Sequence, residues 1–167
     1  MKKAVWSGII AAAGLMVFAG SASAQQTDNK SINVSVTVNA RAKLTLGTAS
    51  ISWVDADPDV TPTLTSGAVT VDVKARTSAT GSVTLTVLAG GPFTNGAGST
   101  IDLSTLTWAA SGTSFVPGFS SSTAAQAVGT WTGSGNRAGT NTYSLPNSWD
   151  YAVGTYTVAL NYTLTAP

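Results

Sequence analysis

From Ile32 onward the apolar positions fall on every second residue: Ile32, Val34, Val36, Val38, Ala40, Ala42, Leu44 and Leu46, separated by Asn33, Ser35, Thr37, Asn39, Arg41, Lys43 and Thr45. Successive side chains of a β-strand point to opposite faces, so this run predicts one long half-buried strand, or two joined by a bend near residues 40–42. The same period sets Val69, Val71 and Val73 against Thr70, Asp72 and Lys74, and Val83, Leu85 and Val87 against Ser82, Thr84 and Thr86. It returns near the end, where Tyr156, Val158, Leu160, Tyr162 and Leu164 alternate with Thr155, Thr157, Ala159, Asn161 and Thr163. Shorter strands are expected at 49–54, 103–109, 127–132 and 140–145. No 3.6-residue apolar period occurs after residue 24.

Turn chemistry punctuates these runs. Asp57-Pro58 and Thr61-Pro62 follow the Trp53 run, and Thr80-Gly81 predicts a hairpin between the second and third strands. Gly90-Gly91-Pro92, Asn95-Gly96, the stretch 133–139 and Pro146-Asn147 mark further loops. Many short alternating strands with turns between them predict an all-β fold: an antiparallel immunoglobulin-like β-sandwich of about seven to nine strands. Threonine and serine dominate the outward positions, which suits a pleated, solvated face. An eight-stranded outer-membrane barrel also alternates, but its strands carry aromatic residues at their ends. The run from 32 to 46 has no aromatic residue.

The first 24 residues carry a different signal. Lys2 and Lys3 precede an apolar stretch, and Ala22-Ser23-Ala24 supplies small residues for cleavage. This is the pattern of a secretory signal peptide cleaved after Ala24, and it predicts export to the cell surface, the periplasm or the extracellular space. Residues 25–167 then form a single domain, with no transmembrane segment expected in the mature chain.

Charge and composition narrow the chemistry. Without Lys2 and Lys3, six basic residues face seven acidic ones. A near-neutral chain argues against a nucleic-acid partner, which calls for clustered Lys and Arg. Histidine, cysteine and glutamate are absent from the sequence. Ser-His-Asp and Cys-His nucleophile systems and His/Cys zinc sites therefore cannot be built, and the expectation is a protein that is not an enzyme.

Two stretches carry resemblances. The ending GTYTVALNYTLTAP is similar to the end of WxL cell-wall-binding domains, with Tyr162-Thr163-Leu164 standing where Trp-x-Leu would be. The order VSVTVNARAKLTLG, AVTVDVKAR, SVTLTV resembles subunits of the spore-coat-U and archaic-pilin type. Both resemblances imply an immunoglobulin-like, noncatalytic domain of the bacterial envelope. The first implies attachment to a cell-wall polymer through Tyr162 and Leu164. The second implies partnership with other copies of the chain or related surface subunits.

Four candidate sites follow. Asp55, Asp57 and Asp59 hold three of the seven acidic residues in VDADPDV. Their i, i+2, i+4 spacing fits a calcium-binding loop, and equally a solvated turn; calcium is the one cofactor this sequence suggests. Trp149, Asp150 and Tyr151 could form a ligand-binding loop, with aromatic faces beside a carboxylate that takes sugar hydroxyls, or could anchor a loop to the sandwich edge. Ile32, Val34, Val36 and Val38 suit an assembly strand donated to a neighbouring copy, or ordinary pairing within one molecule. Tyr162 and Leu164 form the WxL-like ending. The leading expectation is a secreted structural or adhesive surface subunit assembling by strand pairing. The alternatives are a cell-wall-polymer module and a calcium- or carbohydrate-binding domain.

Overall fold

The computed structural model describes residues 27–167; the signal peptide expected at residues 1–24 lies outside them. Residues 37–167 form one compact unit, and the preceding residues belong to a second unit. Ten strands are formed: β1 (Arg41–Leu46), β2 (Thr63–Arg76), β3 (Ser82–Ala89), β4 (Phe93–Thr94), β5 (Thr100–Ile101), β6 (Thr107–Ser111), β7 (Gly118–Phe119), β8 (Gln126–Thr132), β9 (Gly135–Pro146) and β10 (Leu160–Thr165). Three of them span only two residues, so the expected seven to nine strands correspond to seven substantial ones and three short additions.

One sheet has the order β1-β2-β9-β6-β7 and the other β10-β3-β8, with every pairing antiparallel. β4 and β5 form a small separate ribbon. The inward positions of the long strands bury almost completely: Val71, Val83, Leu85 and Val128 are fully buried, with Val73, Val87, Trp108 and Tyr143 close behind. The protein is an antiparallel β-sandwich whose core is the shared product of the period-two faces. The sheets end on edge strands and do not close into a barrel. No helix among the described residues is long and apolar enough to cross a membrane.

The expected hairpin at Thr80-Gly81 is instead a crossing between sheets, because β2 pairs with β1 and β9 while β3 pairs with β10 and β8. The valine faces of β2 and β3 share one core from opposite sheets. β8 and β9 cross in the same way, and the two crossings are tied together. Thr77 N donates to Ser134 Oγ at 2.9 Å, Ser134 Oγ donates to Thr77 O at 2.8 Å, and Gly133 N donates to Gly81 O at 2.8 Å. The loop expected over 133–139 shrinks to this corner, and β9 begins at Gly135.

Of the other strand expectations two shorten, one is lost, and 103–109 begins as a strand only at Thr107, after a 3₁₀ turn at Leu103–Thr105. Of the run 32–46 only Arg41–Leu46 enters a sheet, because a strand needs a ladder partner as well as an alternating face. The segment 49–54 forms no strand. Thr48 Oγ1 donates to Ser50 O at 2.8 Å and accepts from Ser50 N, and such local bonds compete with a ladder. In the last run only Leu160–Thr165 pairs along β3; before it, Thr157 bridges to Thr94 and Ala159 O accepts from Gly90 N. Trp108 and Trp131 are buried in the core, whereas Trp53 is half-buried against it.

Candidate functional site

The described part of the first unit, residues 27–36, has neither helix nor strand, and residues 37–40 continue in the same way up to Arg41. The alternating apolar side chains of residues 32–38 face solvent: Ile32 is 89% exposed, Val34 91%, Val36 85% and Val38 60%. Singly exposed apolar residues are ordinary on a protein surface, but four on one face of a short segment, spaced as in a strand, are not. Residues 32–38 keep the alternating apolar period of the sequence but enter no strand among the described residues.

The sandwich has a complementary deficiency. β1 is the edge of one sheet and β10 the edge of the other, and the two come within 8 Å of each other along one flank. Their inward residues are covered far less than those of the central strands. Leu44, Leu46, Leu160, Tyr162 and Leu164 are only half-buried while packing against the core. Both strands also present a row of backbone N–H and C=O groups with no ladder partner among the described residues, the usual template for an added strand.

Tyr162 and Leu164, the WxL-like pair, lie on this flank, and Tyr162 points into the sandwich. Its hydroxyl accepts from Asn141 Nδ2 at 3.0 Å and is hydrogen-bonded to the Tyr143 hydroxyl. Asn141 is fully buried and Tyr143 nearly so, both on β9, so this cluster links the two sheets through the core. Tyr162→Phe is expected to leave buried polar groups unpartnered and to cost about 1–3 kcal/mol, read as a lower denaturant midpoint at unchanged slope. A cost below about 0.3 kcal/mol would show that the cluster is not formed.

Burial, reinforced by the neighbouring Tyr162, pushes the Tyr143 phenol well above the usual tyrosine range, and burial also raises Tyr151. Groups whose pKa is higher in the folded state bind more protons there at alkaline pH. Their contribution is fully present below the unfolded value near 10 and is lost as pH rises beyond it. Stability should therefore be flat to about pH 9 and then fall, approaching ~1.4 kcal/mol per pH unit for Tyr143 alone. Urea titrations at several alkaline pH values measure this slope, and flat stability to pH 11.5 would contradict it.

The structure does not gather Asp55, Asp57 and Asp59 around one point. Among the described residues no three acidic side chains gather as metal ligands. Asp57 instead builds the turn. Its carboxylate accepts from Asp59 N at 2.9 Å, and its carbonyl accepts from Val60 N and Thr61 N. A carboxylate turned back on its own loop does not converge with its neighbours. The loop is fastened by Asn147, whose Nδ2 donates to Ala56 O and Thr61 O.

Trp149, Asp150 and Tyr151 engage three different partners. Trp149 is 69% exposed and its indole N–H donates to Asp59 Oδ1 at 3.2 Å. Asp150 accepts from Ser148 Oγ at 3.3 Å. Tyr151 is half-buried and faces Tyr156, with ring centroids 6.4 Å apart. The acidic loop and the Trp149 loop therefore meet at the end of the sandwich where Thr63 pairs with Pro146.

One feature escaped the sequence reading. β1 and β2 pair so that Arg41 stands opposite Arg76 and Lys43 opposite Lys74, all four exposed on the outer face. The near-neutral total conceals a concentrated basic ribbon. The signal was present as Arg-Ala-Lys at 41–43 and Lys-Ala-Arg at 74–76, two segments that mirror each other once antiparallel. Beside the ribbon lies an open recess of about 430 Å³, whose lining includes Lys43, Thr45, Asp72, Lys74, Asn136 and Arg137. In comparisons with known proteins, no family model and no curated protein matches this chain.

Proposed function

We propose that the protein is an exported, noncatalytic structural subunit of the bacterial cell surface that assembles by strand donation. Residues 32–38 of one copy occupy the flank between β1 and β10 of another. The observation that carries this reading is the row Ile32, Val34, Val36 and Val38, alternating, apolar, at least 60% exposed and unpaired. The flank supports it with half-buried Leu44, Leu46, Leu160 and Leu164 beside unpaired strand edges. An added strand would satisfy both edges with main-chain hydrogen bonds and set alternate side chains among the half-buried leucines. The resemblance to archaic-pilin subunits points the same way. The cell-wall-polymer reading is weaker, because the Tyr162 hydroxyl is engaged inside the sandwich.

Light scattering after size-exclusion chromatography tests the proposal on the mature chain with and without residues 25–40. The expected result is oligomers from the full chain and a folded monomer from the truncated one. A full chain that is monomeric, and that unfolds when truncated, would return the strand to its own sandwich and sink the reading.

A further inference from the structure

The ribbon Arg41, Lys43, Lys74 and Arg76 calls for an explanation that edge protection does not provide. Cations on an edge strand discourage unwanted pairing, which would account for Arg41 and Lys43 on β1. Lys74 and Arg76 sit on β2, an interior strand between β1 and β9, and guard no edge. Like charges directly opposite each other are unfavourable in a sheet, and here two such pairs adjoin. Four of the six basic residues after the signal peptide take part. The described residues contain one ion pair, Lys30 with Asp28, and it does not involve the ribbon. Asp72, opposite Thr45, is the acidic residue next along the same face.

The opposite charge lies at the other end of the same strand. β2 runs from Thr63, beside the loop with Asp55, Asp57 and Asp59, to Lys74 and Arg76 in the ribbon. The interval from Thr63 to Lys74 is roughly 35 Å at the rise of a strand. Asp150 and the exposed Trp149 lie at the acidic end, fastened to it by the Trp149–Asp59 bond. The sandwich thus carries Asp55, Asp57, Asp59 and Asp150 near the Thr63 end of β2 and the four ribbon cations, with Asp72 beside them, toward its Arg76 end. Residues 37–40 lead directly into Arg41, so the chain that would carry a donated strand leaves from the basic end.

We propose that the basic ribbon docks the acidic, Trp149-bearing end of a second copy, so that subunits join head to tail with one polarity. The inference rests on the reading of the protein as a self-assembling subunit and adds the contact that orients it. Complementary charge sets register and accelerates encounter, and an exposed indole can stack on a guanidinium of Arg41 or Arg76. A copy that donates its N-terminal strand brings its own ribbon toward the copy that receives it. Strand pairing supplies the tight hold, while the charged ends select which end meets which.

The test is a charge exchange in the full mature chain. One variant carries Arg41→Glu, Lys43→Glu, Lys74→Glu and Arg76→Glu; the other carries Asp55→Lys, Asp57→Lys, Asp59→Lys and Asp150→Lys. Each alone should need at least about tenfold higher concentration to assemble than wild type at low salt, and an equimolar mixture should recover wild-type behaviour. Circular dichroism and thermal melts establish that each variant folds. If a fourfold variant does not, the pairs Lys43→Glu with Lys74→Glu and Asp55→Lys with Asp150→Lys repeat the exchange. Variants that assemble like wild type, or a mixture that fails to recover, overturn the docking while leaving strand donation intact. Loss of retention on dextran sulfate by the ribbon variant, with assembly unchanged, makes a polyanion the occupant and also overturns it. A monomeric wild type removes both readings together.

Discussion

Replacing Trp108 with alanine is expected to cost about 3–5 kcal/mol, a large share of the roughly 5–15 kcal/mol that stabilises a domain. Trp108 is 2% exposed on β6, between β9 and β7. Its ring lies 6.2 Å from that of Tyr143 at 53°, and its indole N–H donates to Val116 O at 3.0 Å. Gly118 on β7 makes room for it, since a Cβ there would sit 2.5 Å from Trp108 Cζ2. The alanine variant thus loses a large apolar surface, a hydrogen bond and an aromatic contact, and leaves a cavity that β-strands locked in register cannot collapse to fill. The thermal midpoint should drop by roughly 10 °C or more, measured by far-UV circular dichroism. Trp149→Ala is the control: exposed at the loop end, it should shift stability by less than about 0.5 kcal/mol. Similar losses at the two sites would mean that the burial pattern is misassigned.

The contrast between these tryptophans shows where the sequence speaks and where it is silent. Trp108 sits in a strand-like run, and such residues are read as core from period alone. Val71, Val73, Val83, Leu85 and Val87 are equally legible, because an apolar residue at every second position has only one face to hide. Pairing is less legible. Thr80-Gly81 has the chemistry of a hairpin turn, yet it joins strands in opposite sheets, because the choice between neighbour and opposing layer depends on distant segments. Residues 32–46 keep an unbroken period while only the second part joins a sheet: alternation describes the side chains, and the ladder depends on an available edge.

The candidate sites divide along the same line. The spacing of Asp55, Asp57 and Asp59 is a local fact, but convergence on an ion is a three-dimensional one, and Asp57 spends its carboxylate on its own turn. Tyr162 resembles a motif position, yet its hydroxyl is held by Asn141 and Tyr143 from the facing sheet. The basic ribbon is the converse case. Total charge hides it, and only the register of β1 against β2 brings Arg-Ala-Lys onto Lys-Ala-Arg. What the sequence shows directly at residues 32–38 is the alternation; only the structure shows that this apolar row lies outside the described strands and is exposed.

That exposed row makes the second large effect. The double substitution Val34→Asp, Val36→Asp should abolish assembly while leaving the sandwich intact. At 91% and 85% exposure these side chains contribute little to the stability of the isolated molecule, and its melt should move by less than about 0.5 kcal/mol in equivalent stability. In a donated strand the same positions enter the flank beside Leu44, Leu46, Leu160 and Leu164. Each valine buried there is worth about 1.5–3 kcal/mol, and an aspartate in its place adds the cost of desolvating a charge. Two such losses exceed ~4 kcal/mol, which weakens association about a thousandfold or more. Asn33→Asp with Ser35→Asp, two charges on the alternate face, should weaken assembly far less, because those side chains point away from the leucines. Sedimentation velocity across a concentration series separates the cases. Equal loss from both double variants would indicate that added charge alone is responsible. Unchanged assembly in Val34→Asp, Val36→Asp would remove the apolar row from the interface, leaving its exposure without a function.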